Sequence, residues 1–285
     1  MTRPGAFMAC VVGLALAGCA ALAGLPDWQM AEGAADAASD GGIEAGTGWV
    51  DGGGASADGG RDASGGCPFG CPQVAFDFDE GAGPVAHDRS AHGNDGTLLN
   101  GTAWGAGVAG GALAFDGVND ILDVASSASV DVTGAELSIL FWANVDDSKS
   151  GGDHVLVDKA WATNAMAEPF YQYGVEFSAN GNKSFDLFFA VGAGTRRGPY
   201  SMKPPGTGVW THVAFTYDGA KVKGYLDGVE KLSVAVSGRI PSRPTALRLG
   251  VDGASAQPYK GLLDDVRIYD RALSAAEIST LRDAH

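Results

Sequence analysis

Oxygen-bearing side chains set in turn sequences are the residues of this chain with the most evident chemistry. Asp88, Asn94, Asn119 and Asp120 lie in stretches dense in Gly, Asp, Asn and Ser, and Asp264-Asp265 falls within the last apolar segment. Hard cations take six to eight oxygens from carboxylates, amides and carbonyls on irregular backbone, so Ca2+ is the expected cofactor. A second reading stays open, because Asp116-Gly117 and Asn119-Asp120 also satisfy hairpin turns without a metal. A further set could contact ligand: Trp161, Phe170, Tyr171, Tyr173, Arg196, Arg197 and Tyr200. Aromatic faces stack on the apolar faces of sugars and guanidinium groups pair with acidic ones, and the sharpest candidates are Trp161, Tyr171, Arg196 and Arg197. Tyr173, Trp142 and Trp210 belong to strand-like runs and read as core.

Catalytic patterns are missing from the sequence. There is no Gly-Xaa-Ser-Xaa-Gly elbow, no paired-His motif and no phosphate loop. Glu168 and Glu176 are the nearest pair of glutamates, without a patterned third carboxylate, and His87, His92 and His154 sit in or beside loops. The expectation is a chain with no catalytic residue.

These residues must be positioned by strands. Trp210, His212, Ala214 and Thr216 alternate with Thr211, Val213, Phe215 and Tyr217, and Asp218-Gly219 then supplies the positive φ of a tight hairpin. Val222 to Leu226 is the return strand, and Asp227-Gly228 turns the chain into Lys231 to Val236. Further strands are expected at Val74 to Phe78, Thr97 to Leu99, Ala112 to Phe115, Ile121 to Val124, Leu137 to Val145, Val155 to Asp158, Tyr173 to Ser178, Phe185 to Val191, Ala246 to Leu249 and Leu263 to Tyr269. Ser274 and Glu277 form a capping box that opens one short helix with Ile278 and Leu281 as its apolar contacts. Many short strands without helical repeats predict an all-β, two-sheet antiparallel sandwich.

The ends of the chain differ from its middle. Phe7 to Ala17 is an apolar run too short to span a bilayer but right for a secretory signal, and Leu16-Ala17-Gly18-Cys19 resembles the bacterial lipobox, in which the Cys is acylated. The reading is a signal over 1–18, an anchor at Cys19 with a Gly/Ala/Asp-rich tether over 19–72, and a folded domain over 73–285. The expected location is the cell envelope, in the outer membrane or at the cell surface. Export implies an oxidising setting, so Cys67 and Cys71 are expected to form a small-loop disulfide. A net charge of −15 argues against nucleic acid as partner.

Several phrases together resemble one family. Gly93-Asn94-Asp95-Gly96-Thr97-Leu98, Gly111-Ala112-Leu113-Ala114-Phe115-Asp116-Gly117, Leu137-Ser138-Ile139-Leu140-Phe141-Trp142, Trp210-Thr211-His212-Val213-Ala214-Phe215 and Asp264-Asp265-Val266-Arg267-Ile268-Tyr269 are similar to the laminin-G-like jelly-roll domains, in the same order. The resemblance implies a concanavalin A-like jelly roll, a fold shared by lectins, adhesive modules and polysaccharide-cleaving enzymes. It implies that first and last strands pair, bringing Asp88 and Asn94 towards Asp264 or Asp265 as one calcium site. Asn119-Asp120 is similar in position to the calcium ligands of pentraxins and would need Asp153 or Glu168 as partner. The Glu-Xaa-Asp-Xaa-Xaa-Glu strand of concanavalin A-like glucanases does not occur here. The expected function is a lipid-anchored module binding a glycan or a surface protein through rim loops; a polysaccharide-degrading enzyme or an accessory subunit of one, and a structural envelope protein, are the alternatives.

Overall fold

The computed structural model describes residues 67, 69–148, 152–159, 172–179, 183–253 and 257–285. Cys19 and the tether from Ala20 to Gly66 lie outside the described residues. The strands run β1 (Val74–Phe76), β2 (Val85–Ala86), β3 (Gly96–Leu99), β4 (Ala103–Ala106), β5 (Gly111–Asp116), β6 (Ile121–Val124), β7 (Leu137–Val145) and β8 (Asp153–Lys159). They continue as β9 (Tyr173–Ser178), β10 (Ser184–Val191), β11 (Thr195–Met202), β12 (Trp210–Tyr217), β13 (Lys221–Leu226), β14 (Val229–Ala235), β15 (Leu247–Leu249) and β16 (Lys260–Tyr269), before α1 (Ala275–Arg282).

Two eight-stranded antiparallel sheets result. The first orders as β14-β13-β12-β7-β16-β5-β4 with β1 added on β16, and the second as β11-β10-β9-β8-β15-β6-β3-β2. The chain ends meet as expected, with Phe76 opposite Val266 and Val74 opposite Ile268. The meander also forms as read: Asp227 and Gly228 adopt φ of 49° and 76°, the left-handed backbone a two-residue hairpin needs.

Alternation carries the packing. Residues such as Ile139, Phe141, Val213, Phe215, Val266 and Ile268 from the first sheet and Phe177, Phe185, Leu187 and Phe189 from the second join one buried cluster. Within it Phe141 meets Phe185 at 6.3 Å and Phe177 meets Phe185 at 5.3 Å between ring centroids, the edge-on geometry that aromatic quadrupoles favour. A smaller cluster lies on the outer face of the first sheet, where Ile278 and Leu281 of α1 cover Leu140, Ala214, Tyr225 and Tyr269. Trp142 and Trp210 correct the expectation that they are core. They point to the same outer face outside the helix's cluster, and both are only partly buried. Cys67 and Cys71 are joined, with Cα atoms 4.9 Å apart, just ahead of β1.

Candidate functional site

The β5–β6 turn forms the first candidate, at one end of the sandwich. Its backbone is built by Asx chemistry: Val118 N donates to Asp116 Oδ1 at 2.7 Å and Asp116 N to Asp120 Oδ2 at 2.7 Å. The β3–β4 turn leans on it, with Asn100 Nδ2 donating to the Asn119 carbonyl at 3.0 Å. Asn100 and Gly101 both need positive φ, 61° and 116°. Gly101 is doubly constrained, since a Cβ there would lie 3.0 Å from Asp120 Oδ1.

Asp120 is the distinctive residue of this rim. It is 2% exposed, and its Oδ1 is buried without a hydrogen-bond partner. Burial pushes its carboxyl above the ordinary range, the Asp116 N–H opposes that, and the nearby Asp116 carboxylate adds to it. A buried, unsatisfied carboxylate oxygen costs free energy unless a proton or a cation meets it. Asp120 Oδ1 is therefore a place where a proton or a cation would bind. Asn119 and Val118 beside it are exposed, Val118 at 68%. Of the expected partners, Asp153 opens β8, which β15 separates from β6, and Glu168 lies outside the described residues.

Asp88, Asn94 and Asp265 show the opposite condition. Asp88 Oδ1 accepts from Ala75 N and Ser90 N, both at 2.9 Å, and its Oδ2 from Ser90 Oγ at 2.6 Å and Asn94 N at 2.7 Å. Asn94 donates to the Gln73 carbonyl at 2.8 Å and accepts from Ser127 Oγ at 2.6 Å. Asp265, at φ 45°, accepts from Arg267 Nε at 2.8 Å and contacts His285 Nε2 at 2.7 Å. Burial works to raise its pKa, but Arg267 and His285 hold it below the ordinary value. The structure brings Asp88 and Asn94 together but gives Asp265 a separate set of partners, and a cation at either place would have to displace them. Among the described residues no group of three or more His, Cys, Asp or Glu is arranged to hold a metal.

Arg196, Arg197 and Tyr200 fall on β11, a strand at the edge of the second sheet that the sequence reading missed. Its Thr-Arg-Arg-Gly-Pro-Tyr start is almost wholly exposed, so it lacks the alternation that marks a strand, and Pro199 is tolerated because an edge strand leaves some N–H groups unpaired. Arg196 Cζ sits 4.2 Å over the Phe188 ring. Register carries this segment to the end of the sandwich away from Asp120: Val191 pairs with Thr195, whereas Gly250 beyond β15 approaches the Asp120 carbonyl. Tyr173 is core, its hydroxyl donating to the Val130 carbonyl at 2.8 Å. Trp161, Phe170 and Tyr171 lie outside the described residues.

One arrangement of acids was not legible in the sequence. Glu176 of β9 stands directly opposite Asp186 of β10, both nearly buried and both on the face away from the core cluster. Burial raises the Asp186 pKa, partly offset by hydrogen bonds from Ser184 and Ser201, while Asp153 raises it further. Cross-strand neighbours on one face have Cβ atoms about 4.5–5.5 Å apart, so pairing rather than spacing along the chain brings the two together.

Residues 116–279 match the family described as the Concanavalin A-like lectin/glucanases superfamily. Among solved structures, domain 4 of AbnA, an extracellular arabinanase from Geobacillus stearothermophilus, in complex with arabinotriose, superposes with a TM-score of 0.57 at 22% identity over 74% of this chain and 98% of that one. The ligand binding domain of botulinum neurotoxin serotype D, in complex with N-acetylneuraminic acid, gives 0.55 at 13% identity over 75% of this chain and 50% of that one. An asparagine-rich protein of Margaritifera margaritifera is 38% identical over 60 residues, 21% of this chain. The chain spans only 8% of that relative's length.

Proposed function

The chain belongs to the laminin-G-type family of the concanavalin A-like lectin/glucanase superfamily, and on that premise we propose that it is a lipid-anchored, surface-displayed module that binds a glycan through its rim loops. The observation that carries this reading is Asp120 Oδ1, a buried carboxylate oxygen without a partner at an exposed rim. Ca2+ held by Asp120, with Asn119 beside it, would satisfy that oxygen and offer its remaining positions to sugar hydroxyls. Sugar complexes of similarly folded domains support a glycan as ligand. Cys19 would carry the lipid, and the head would act as a binder, not as an enzyme.

A glycan array probed with the full chain, with and without chelator, tests this. Binding that falls at least about tenfold with chelator and in Asp120→Asn is expected, a loss of about 1.4 kcal/mol. Binding indifferent to both sinks the calcium rim. Fatty-acid labelling that persists in Cys19→Ser sinks the anchor.

The Glu176–Asp186 pair supports a second reading, a polysaccharide-degrading enzyme, because one carboxyl is shifted upward next to another. Reducing-end release from bound glycans that disappears in Glu176→Gln and Asp186→Asn would establish it. Release that survives both substitutions would remove it.

A further inference from the structure

Ladder pairing of β1 with β16 begins at Gln73, whose N donates to the Ile268 carbonyl at 2.7 Å. Residues 69–72 lie ahead of that ladder and outside the strands. They are held by the bridge between Cys67 and Cys71 and by Gly70 N, which donates to the Cys67 carbonyl at 2.9 Å. The small loop so closed carries Phe69 onto the outer face of the first sheet, where it packs against the cluster that Ile278 and Leu281 of α1 share with Leu140, Tyr225 and Tyr269. Gly70 follows at φ 76°, and a Cβ there would lie 3.1 Å from Arg271 Nε, so the loop rests close against that side chain. Arg271 is itself fixed: its Nη2 donates to Glu277 Oε1 at 2.8 Å, its carbonyl accepts from Ser138 Oγ at 2.7 Å, and Leu273 N donates to the same hydroxyl at 2.9 Å. The loop leans on a wall that does not depend on it.

We propose that the Cys67–Cys71 loop is a redox-sensitive strap, which seats Phe69 on the α1 cluster while the bridge is closed and releases it when a dithiol reduces the bridge. The two cysteines have a sequence separation of 4, so the bridge restrains far less of the unfolded chain than one between distant elements would. The sandwich closes through the pairing of β1 with β16, which the bridge does not touch. Its effect in the folded protein is therefore local: it holds a half-buried aromatic ring against the helix. With the bridge open, the loop regains backbone freedom, most of all at Gly70, and that entropy works against seating the ring. Cys71 is exposed, and exposed disulfides are the ones that thiols reduce most readily. One thiolate of the dithiol attacks Cys71 Sγ, forming a mixed disulfide and expelling Cys67 as thiolate. The second thiol of the reductant then displaces Cys71, and the reductant departs as its own cyclic disulfide. The protein has gained two electrons and two protons as two free thiols. α1, with eight residues, is too short to persist on propensity alone, so losing the Phe69 contact loosens it.

The strap is tested without any ligand, so its outcome is independent of the glycan reading. The oxidised full chain is treated with dithiothreitol, maleimide labelling and peptide mapping locate the thiols released, and hydrogen–deuterium exchange is followed in α1 and in β12 of the core. Reduction should free thiols at Cys67 and Cys71 in the folded protein and speed exchange of the α1 amides by about tenfold or more, with β12 changing by less than about twofold. Phe69→Ala, with the bridge intact, should reproduce most of the effect on α1. Cys67→Ser/Cys71→Ser should show it before any reductant is added and respond no further to dithiothreitol, which separates this bridge from the other cysteines of the chain. If that double substitution prevents folding, reduced wild type and Phe69→Ala decide the matter. Unchanged α1 exchange after confirmed reduction, or in Phe69→Ala, overturns the proposal. So does a bridge that dithiothreitol leaves closed in the folded chain, or equal acceleration in β12, which would make the bridge a brace for the whole sandwich.

Discussion

Asp264 is the residue whose burial most affects pH dependence. It is 1% exposed, and its pKa is raised to about 7, by desolvation first and by the Asp265 carboxylate as well, against hydrogen bonds from Val108 N and Asp265 N. Above the ordinary value of 3.8 the unfolded chain gives up this proton while the folded one retains it. Stability therefore falls as pH rises from about 4 to about 7 and then levels off. His212 acts in the other direction: burial lowers its pKa to about 4, so the unfolded chain takes up a proton first on acidification and stability falls between about pH 6.5 and 4. Urea midpoints of Asp264→Asn and His212→Gln, followed against wild type over pH 4 to 8, separate the two. The wild type should lose on the order of 2 kcal/mol relative to Asp264→Asn between pH 4 and 7. A constant difference across that range would show that the carboxyl ionises normally. Asp120 offers a matching check at the rim: without calcium, Asp120→Asn should be as stable as wild type or more so at neutral pH, and added calcium should raise the wild-type midpoint alone.

The helix α1 shows how an element is fixed by its ends and one face. Ser274 N donates to Glu277 Oε2 at 2.6 Å and Glu277 N to Ser274 Oγ at 3.3 Å, a reciprocal box that satisfies N-terminal donors an eight-residue helix could not otherwise use. Ser274→Ala should cost about 1 kcal/mol. Ile278→Ala, which opens the cluster over Tyr225 and Tyr269, should cost about 2–4 kcal/mol. Edge strand β14 behaves differently, because Val229 and Val234 are exposed at 54% and 36%. Val234→Lys should change the chemical-denaturation midpoint by less than about 0.5 kcal/mol equivalent. A larger loss there would mean that something packs on that edge.

Both sheets contribute to one buried apolar cluster, so the sandwich as a whole should unfold as a unit. Tryptophan fluorescence, to which partly buried Trp104, Trp142 and Trp210 contribute among the six tryptophans of the chain, and far-ultraviolet circular dichroism should give coincident transitions. Phe141→Ala, in the centre of that cluster and 6.3 Å from Phe185, should move both together by about 3–5 kcal/mol. Separate transitions would show that the sheets are independently stable. The same two-layer build explains why Asp120 lies in a turn: the strands are committed to pairing and their inner faces to the core, which leaves irregular polar backbone to the ends of the sandwich.

The sequence by itself determined what neighbours along the chain can encode. Alternation in Trp210 to Tyr217, the Asp-Gly turns, the Ser274–Glu277 box and the approach of Phe76 to Val266 were all legible, because period-2 burial, positive φ and capping are properties of a few consecutive residues or of a repeated family pattern. Tertiary structure alone decided which polar atoms have partners. Asp264 Oδ2 is held by Val108 N across a separation of 156 residues, Glu176 meets Asp186 by register, and Trp142 and Trp210 stay only partly buried, outside the cluster that α1 covers. Hydrogen-bond satisfaction and exposure depend on what a distant strand brings alongside, and the order of strands in a sheet is not written in any one of them.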